Sequence, residues 1–307
     1  MNPTISIIVP MHNEEDGIDE FFSRIIPILE PFGGYEIICI NDGSKDRTWE
    51  LLKAKAKINK NIRIISFSRN FGKEAGLTAG LDHASGNCVI PIDADLQDPP
   101  ELIPEMVSKW KEGYKVVLAT RRTRDEGWLK RKSAGAFYKI IGRLSNIHIP
   151  ENTGDFRLMD RSVVKAIKQL PERTRFMKGL FAWAGFKTTT IYYDRPQRFA
   201  GTTSWNYVKL WSFALDGLFA FTTKPLKVWT YLGGIISLFA FLYGTYILVH
   251  TLLFGNNLPG YASIMVVMLF LGGIQLMSLG IIGEYIGRIY RETKHRPLYI
   301  IEDKDGF

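Results

Sequence analysis

The feature that most constrains this chain of 307 residues is a long segment without charge. From Val228 to Gly283 there is no Asp, Glu, Lys or Arg, and the turn-like sequence GNNLPG divides the segment into two apolar stretches. Each stretch exceeds the roughly 20 residues that a helix needs to cross a bilayer core. The segment therefore predicts a transmembrane hairpin, with helices at about 228–254 and 261–283. A helical pair buried in a soluble core is the alternative, but such cores seldom contain uncharged segments this long.

The flanks of the predicted hairpin are basic. They contain Lys224, Lys227, Arg288, Arg291, Lys294 and Arg296. Because basic flanks stay on the cytoplasmic side, both termini are expected in the cytosol. No basic–apolar–small signal pattern opens the chain, so the polar part is also expected to stay there. The formal net charge of +8 then favours a lipid bilayer as partner over nucleic acid.

The first 120 or so residues alternate strand and helix signals. Strands are predicted at Ile5–Val9, Tyr35–Ile40, Arg63–Phe67, Cys88–Ile92 and Lys115–Ala119. Helices are predicted at Glu15–Leu29, Arg47–Ile58, Lys73–Ala84 and Pro99–Trp110. This alternation is typical of a doubly wound α/β domain, in which ligands bind at the carboxyl edge of the strands. The two cysteines fall within predicted strands without metal-like spacing, and we interpret them as reduced core residues.

Two later segments are predicted to be helices. Residues 129–147 carry apolar residues at helical spacing among basic ones, which suits either a helix on the membrane surface or one packed on the sheet. Trp205–Phe221 is nearly all apolar but contains two charges, which favours an interfacial helix over a third span. The predicted organisation is a cytoplasmic domain over 1–200, an interfacial region over 201–226, the hairpin over 227–285 and a cytoplasmic tail over 286–307.

Three aspartates follow the fourth predicted strand in the sequence VIPIDADLQDPPE. Mg²⁺ and Mn²⁺ prefer oxygen ligands, and Mg²⁺ usually takes one or two protein carboxylates together with substrate phosphates. For Asp93 and Asp95 the strand-end position favours a metal–diphosphate site over a solvated loop. For Asp98, directly before two prolines, we prefer a helix-capping role.

The glycines of FGKEAGLTAG, residues 71–80, raise the question of a phosphate-binding loop. The segment lacks the pattern and the strand–loop placement of a P-loop or a dinucleotide fingerprint. We instead predict that the segment begins the third helix and that its glycines allow close packing, although Lys73 could reach a phosphate.

Five motifs, in chain order, carry a resemblance to a known family. They are SIIVPMHNEE, INDGSKDRT, DADLQDPPE, TGDFRLMDR and RFAGTTSW. Together they resemble the polyisoprenyl-phosphate glycosyltransferases, which include dolichyl-phosphate mannose synthase-like enzymes and, most similar to this chain, the bactoprenol glucosyl transferases of the GtrB type. The resemblance covers essentially the whole chain. It implies an inverting enzyme with a Rossmann-like GT-A domain built on a mostly parallel α/β sheet.

The resemblance also implies roles for individual residues. Nucleotide contacts would come from Pro10, His12, Glu14, Asp42, Asp93 and Ala94. The ligands of Mg²⁺ or Mn²⁺ would be Asp95 and Gln97, with Asp93 as a further candidate. Arg121 would lie near the sugar diphosphate, and Asp155 and Arg157 beside the acceptor. Further substrate contacts are expected from Arg131, Arg198, Gly201 and Ser204, although Trp205 stands where the family has Lys or Arg.

The implied reaction moves glucose from UDP-glucose to undecaprenyl phosphate in the bacterial inner membrane, for O-antigen or other surface glycan modification. A lipid phosphate is already largely ionised, so Asp155 is expected to orient a substrate, although a role as base stays open. Another sugar nucleotide, such as GDP-mannose, UDP-galactose or an amino-sugar donor, is the alternative within enzymes. A non-catalytic membrane adaptor is the alternative if the protein is not an enzyme.

Small-residue stretches in the spans predict a homo-oligomer such as a tetramer.

Overall fold

The computed structural model describes residues 4–122, 153–170, 172–173, 175–194, 224–255 and 260–307. The predicted helices at 129–147 and Trp205–Phe221 lie outside these residues. So do four of the predicted site residues, Arg131, Arg198, Gly201 and Ser204. The chain divides into two compact units. One comprises Met1–Gly217 with Arg296–Phe307, and the other Leu218–His295.

The first unit is built on one mixed sheet. Its strands are β1 Ile5–Met11, β2 Tyr35–Asn41, β3 Ile62–Phe67, β4 Cys88–Pro91, β5 Val116–Arg121, β6 Thr153–Asp160, β7 Thr188–Tyr193 and β8 Ile301–Asp305. Their spatial order is β7-β5-β6-β4-β1-β2-β3-β8. The five predicted strands correspond to β1 to β5. The sequence did not predict β6, β7 or β8.

Parallel pairing holds the centre of the sheet together. Strand β1 pairs parallel with β2 and with β4, and β2 pairs parallel with β3. Strand β6 lies antiparallel between β4 and β5, and β8 runs antiparallel along β3. The carboxyl ends of β1, β2 and β4 therefore open at one edge, where the chain continues into the loops that carry His12, Asp42 and Asp93.

Six α-helices accompany the sheet within the described part of this unit. They are α1 Ile18–Leu29, α2 Thr48–Ile58, α3 Lys73–His83, α4 Ile103–Lys111, α5 Arg161–Lys168 and α6 Met177–Trp183. The first four confirm the predicted helices to within a few residues. Strands β1 and β2 are almost wholly buried, as apolar strands covered on both faces should be. Both cysteines are unpaired and buried, as predicted.

Close packing of α3 on β1 explains the glycines of FGKEAGLTAG. A Cβ atom added at Gly80 would come within 2.1 Å of the Ile8 side chain, and one at Gly76 within 3.1 Å of Pro10. The two glycines are four residues apart and therefore share one face of the helix. This confirms the interpretation of the segment as a closely packed helix rather than a P-loop.

The last residues of the chain complete the sheet at its β3 edge. Beyond the pairing of β8 with β3, the Tyr299 ring stacks on Phe67 with centroids 5.1 Å apart. The Tyr299 hydroxyl donates to Asp82 over 2.9 Å, and Lys53 forms an ion pair of 3.0 Å with Asp303. Unpaired sheet edges invite association with other chains. Strand β8 covers such an edge, so the segment predicted only as a tail has a structural role.

Deletion of Ile301–Phe307 is therefore expected to destabilise the first unit. The lost β-pairing should lower the midpoint of thermal unfolding by about 5 °C or more, and the bared β3 edge should promote aggregation. Thermal unfolding and size-exclusion chromatography would measure both effects. The control is Glu302→Ala, which removes only an exposed side chain on the same strand and should change neither result. An unchanged midpoint in the truncated protein would contradict the stabilising role of β8.

The second unit contains two long helices, α7 Lys224–Phe254 and α8 Tyr261–Thr293. Within them, Tyr231–Phe254 and Ser263–Thr293 are long and apolar enough to span a membrane, with mean hydropathies of 1.9 and 2.2. Their large apolar side chains are mostly exposed rather than packed in a protein core. These features indicate membrane association. Helix α8 also continues beyond the predicted end of its span at Gly283, and an ion pair of 2.9 Å between Glu284 and Arg288 lies in that extension.

Candidate active site

The loops after β1 and β2 are tied to each other at the carboxyl edge of the sheet. The backbone N–H of Asn13 donates to the Ser44 hydroxyl over 3.0 Å, and the Asn13 side chain accepts from the N–H of Lys45. The N–H of Glu14 donates to the Thr48 hydroxyl over 2.9 Å. Asn13 has a φ of 55°, a conformation that asparagine tolerates better than most residues. These bonds position the loop segment that carries the predicted nucleotide contacts.

Asp42 organises the same edge from the end of β2. Its carboxylate accepts hydrogen bonds from the backbone N–H groups of Phe71, at 2.6 Å, and Gly72, at 2.9 Å. The Nδ1 atom of His12 donates to the carbonyl oxygen of Asp42 over 2.8 Å. The structure thus brings together His12 and Asp42, to both of which the resemblance assigns nucleotide contacts. It also shows a function of Asp42 that the sequence did not reveal, because this carboxylate fixes the turn into α3.

Along the loop after β4, side chains that are partly exposed alternate with side chains that are buried. Asp93, Asp95 and Gln97 keep partial access to solvent, whereas Ala94, Leu96 and Asp98 are buried. The Asp95 carboxylate accepts a hydrogen bond of 3.1 Å from the N–H of Gln97. Three oxygen-bearing side chains of this loop are therefore accessible from outside the protein, as a site for a bound ligand requires.

Lys73 joins this loop to strand β6. Its ammonium group lies 2.6 Å from Asp93 and 2.7 Å from Asp155. Partial burial by itself lowers the pKa of Lys73, but the charges of Asp93 and Asp155 outweigh it and raise that pKa above its usual range. The Lys73 side chain is therefore held in its protonated, positively charged form. The structure brings together two carboxylates that the sequence assigned to the donor and acceptor sides of the site.

Asp155 and Arg157 occupy a charged interior behind Lys73. Burial alone would raise the pKa of Asp155, but the positive charges of Lys73, Lys178 and Arg157 hold it below its usual range. Burial lowers the pKa of Arg157 to about 10. Its guanidinium donates to the carbonyl of Gly154 over 2.7 Å and lies 4.3 Å from the centre of the Phe181 ring. Asp155 is thus held as a carboxylate, which suits a residue that orients a substrate.

Arg121 is held at the end of β5 by two partners. Its Nε donates to the Tyr193 hydroxyl over 3.2 Å, and its Nη2 lies 3.5 Å from the Asp98 carboxylate. Tyr193 in turn donates to Asp98 over 2.5 Å. The prediction that Asp98 caps a helix is wrong, since the next helical turn has Pro99 at its N-cap and no side-chain cap. Asp98 is instead a buried partner of an arginine, and burial together with the nearby charge of Asp93 raises its pKa.

Glu74 is a site residue that the sequence analysis missed. Its carboxylate accepts from the backbone N–H of Met177 over 3.0 Å, which attaches α6 to the start of α3. Burial, and next the negative charge of Asp155, raise the pKa of Glu74 from 4.5 to about 7. The sequence did contain a clue to Glu74, because this acidic residue directly follows Lys73 in the segment after β3. Tyr193 left no comparable signal, because its strand was not predicted.

The raised pKa of Glu74 predicts a pH-dependent stability. Because the pKa is higher in the folded state, the stabilisation is complete below about pH 4.5 and is lost as the pH rises to about 7, by roughly 1–3 kcal/mol. Glu74→Gln cannot ionise, yet its side-chain oxygen can still accept from Met177. The variant should therefore unfold at a higher temperature than the wild type at pH 8, and this gain should shrink at pH 5. Glu112→Gln, at the exposed end of α4, is the control and should show no such trend.

The residues of this edge fit a divalent cation that is shared with a substrate. Among the described residues, there is no group of three or more His, Cys, Asp or Glu side chains that could hold a metal ion. Asp93, Asp95 and Gln97 nevertheless offer accessible oxygen atoms from one loop. Mg²⁺ is commonly bound by one or two carboxylates together with phosphate oxygens. The donor set therefore suits a cation that enters with a diphosphate better than one held by the protein alone.

A mixed α/β sheet with acidic loops at the carboxyl edge of its parallel strands is the arrangement of a GT-A-like domain. The sequence profile of glycosyl transferase family 2 matches residues 6–168. The profile of the GtrB C-terminal hairpin matches residues 224–289. The chain belongs to glycosyl transferase family 2, and it is a glycosyltransferase.

Similar proteins match along the whole chain. An uncharacterised glycosyltransferase of Synechocystis sp. is 60% identical over 100% of this chain and 97% of its own length. The bactoprenol glucosyl transferase of Shigella phage SfV is 51% identical over 98% of both chains. The prophage bactoprenol glucosyl transferase homologue of Escherichia coli is 50% identical over 97% of this chain and 98% of its own length.

A solved structure shares the fold of the first unit. It is glucosyl-3-phosphoglycerate synthase from Mycobacterium tuberculosis, in complex with Mn²⁺, UDP and phosphoglyceric acid. The TM-score is 0.51 at 19% sequence identity, over 71% of this chain and 76% of that chain. At this identity the likeness bears on the fold alone.

Proposed function

We propose that this protein transfers glucose from UDP-glucose to undecaprenyl phosphate at the cytoplasmic face of the bacterial inner membrane. The observation that carries the proposal is the full-length likeness, at about half of all positions, to proteins named bactoprenol glucosyl transferases. That likeness includes both the loops of the candidate site and the apolar hairpin. Two helices able to span a bilayer would keep the enzyme at the membrane, where a lipid acceptor lies.

The proposed chemistry is a direct displacement. A phosphate oxygen of the acceptor attacks the anomeric carbon of glucose as the bond to UDP breaks, so the configuration at that carbon inverts. The acceptor phosphate is ionised near neutral pH and needs no strong base. Asp155, held as a carboxylate by its cationic neighbours, would then orient a substrate rather than take a proton.

The leaving UDP gains negative charge in the transition state, and fixed cationic groups can stabilise it. Arg121 is suited to this role because Asp98 and Tyr193 fix its guanidinium in place. Asp95 and Gln97, with Asp93 as a further candidate, would hold Mg²⁺ or Mn²⁺. Such a cation, when bound, would neutralise charge on the diphosphate.

The proposed topology follows from the basic flanks of the hairpin. Lys224 and Lys227 precede the uncharged segment, and Arg291 and Lys294 follow it. Since basic flanks favour the cytoplasmic side, the glycosyltransferase domain and both termini would face the cytosol. An acceptor phosphate in the inner leaflet would then lie on the same side as the cytosolic nucleotide sugar.

The test is a transfer assay with the full chain in lipid nanodiscs, undecaprenyl phosphate and Mn²⁺. Radiolabelled UDP-glucose, UDP-galactose, UDP-N-acetylglucosamine and GDP-mannose are supplied separately. We expect labelled lipid with UDP-glucose at a rate at least about tenfold above any other donor, because the site must discriminate sugar hydroxyls by hydrogen bonds. Preference for another sugar would overturn the donor assignment. Absence of lipid product with every donor would overturn the proposed reaction.

A further inference from the structure

The Lys73 ammonium group occupies the space between two carboxylates at the candidate site. It lies 2.6 Å from Oδ1 of Asp93 and 2.7 Å from Oδ2 of Asp155. The Asp155 side chain is 13% exposed and that of Asp93 34%, whereas 43% of the Lys73 side chain is exposed. The ammonium therefore connects an interior carboxylate to an accessible one, and an incoming ligand can reach it.

The backbone that carries Lys73 is fixed on both sides. Before it, the N–H groups of Phe71 and Gly72 are bound by the Asp42 carboxylate. After it, Glu74 accepts from the N–H of Met177. The backbone on both sides of the lysine is thus held by Asp42, directly after β2, and by Met177 of α6. We therefore expect the position of this backbone to persist in solution.

Two carboxylates on either side of one nitrogen atom would repel each other without a cation between them. An ammonium group has three N–H donors and one positive charge, so it can satisfy both. Oxygen ligands of this kind are also what Mg²⁺ and Mn²⁺ prefer. Lys73 differs in this respect from Lys55, whose ammonium pairs with the single carboxylate of Asp19 on the surface at 2.5 Å.

We propose that Lys73 is a resident counter-cation that excludes a free divalent cation from the site until the nucleotide diphosphate arrives. The inference rests on the proposed function, since it concerns the cation and the donor of that reaction. With Lys73 in place, an approaching Mn²⁺ meets a positive charge and carboxylates that are already paired. A diphosphate brings its own negative charges, to which the ammonium can turn as Asp93 is released.

The consequence is an order of binding. The cation enters together with the nucleotide, and the unliganded enzyme does not hold it. Lys73 acts in this scheme as a positioning residue. It determines when the carboxylates of Asp93 and Asp155 are available to a cation, and it is not required to touch the reacting carbon.

Electron paramagnetic resonance of free Mn²⁺ tests the proposal without a sugar donor and without turnover. Wild-type protein in nanodiscs should bind Mn²⁺ weakly, and addition of UDP should strengthen that binding. Lys73→Gln should bind Mn²⁺ alone at least about tenfold more tightly than the wild type, because its carboxylates lose their counter-charge. Lys55→Gln is the matched control, since it makes the same change of charge in an ion pair outside the site, and it should behave as the wild type.

Three further variants test the same proposal if Lys73→Gln fails to fold or its effect needs to be assigned to Asp93. If Lys73→Gln does not fold, Lys73→Met provides the same loss of charge, and Lys73→Arg should keep the weak binding of the wild type. The double variant Lys73→Gln, Asp93→Asn should lose the gained affinity. Equal Mn²⁺ affinity in the wild type and in the charge-removing variants would overturn the proposal, and so would tight binding by the wild type without UDP. Neither result depends on which sugar is transferred, so the transfer assay fails or succeeds separately.

Discussion

Replacement of Asp95 by Ala is expected to reduce glucosyl transfer by about a hundredfold to a thousandfold with either Mg²⁺ or Mn²⁺. Asp95 lies between buried Ala94 and Leu96 but keeps access to solvent. Its hydrogen bond from the N–H of Gln97 orients the carboxylate. Loss of this carboxylate would leave the diphosphate–cation complex without its main protein ligand, so charge on the leaving group would be poorly stabilised.

Two measurements separate this effect from a general loss of structure. Initial rates of transfer give the change in kcat/KM, and titration calorimetry gives the affinity for UDP with and without Mn²⁺. Wild-type affinity should rise when Mn²⁺ is present, and that of the Asp95→Ala variant should not. Asp19→Ala is the control, because it removes a carboxylate from the exposed face of α1 and should leave both quantities unchanged. Full activity of Asp95→Ala would contradict the metal-binding role.

The sequence predicted five of the eight strands because their signals are local. Strands β1 to β5 are apolar runs, and the four predicted helices follow β1 to β4 in turn. Three polar loops at the ends of parallel strands could be assigned to one edge from this pattern alone. In the structure His12 and Asp42, from the loops after β1 and β2, are in contact at this edge.

The other three strands could not be predicted because their pairing depends on residues distant in the chain. Strand β6 enters antiparallel between β4 and β5, and β7 pairs with β5 at the edge. Strand β8 has the sequence IEDKD, whose charged residues are typical of a solvated tail. This segment forms a strand because it pairs with the edge of β3, and no local sequence pattern indicates that pairing.

The same limit explains the error at Asp98. A carboxylate before two prolines matches a local capping signal, and its actual partners lie far along the chain. Tyr193 follows it by 95 residues and Arg121 by 23. Lys73 was noted as able to reach a phosphate, but its two carboxylate partners became visible only with the sheet assembled. Long-range ion pairs of this kind are set by topology, so sequence motifs alone do not reveal them.

Replacement of Asp98 by Ala is expected to have the largest effect on stability among changes at the site. Its side chain is 3% exposed and lies beside the guanidinium of Arg121, whose side chain is 19% exposed. Removing one partner of a largely buried ion pair leaves the other charge uncompensated, at a cost of about 3 kcal/mol. For a domain of this size, that loss corresponds to a decrease of about 6–12 °C in the midpoint of thermal unfolding.

Comparison with Tyr193→Phe separates the two bonds that Asp98 makes. The phenylalanine keeps the ring of Tyr193 and the Asp98–Arg121 ion pair but removes the hydroxyl, which should cost about 1 kcal/mol. Activity should follow the same order, since Arg121 without Asp98 loses its anchor and small displacements of a catalytic group greatly slow reactions. Thermal unfolding and kcat would both be measured. Equal effects of the two substitutions would show that the hydroxyl of Tyr193, rather than the carboxylate of Asp98, holds the arginine in place.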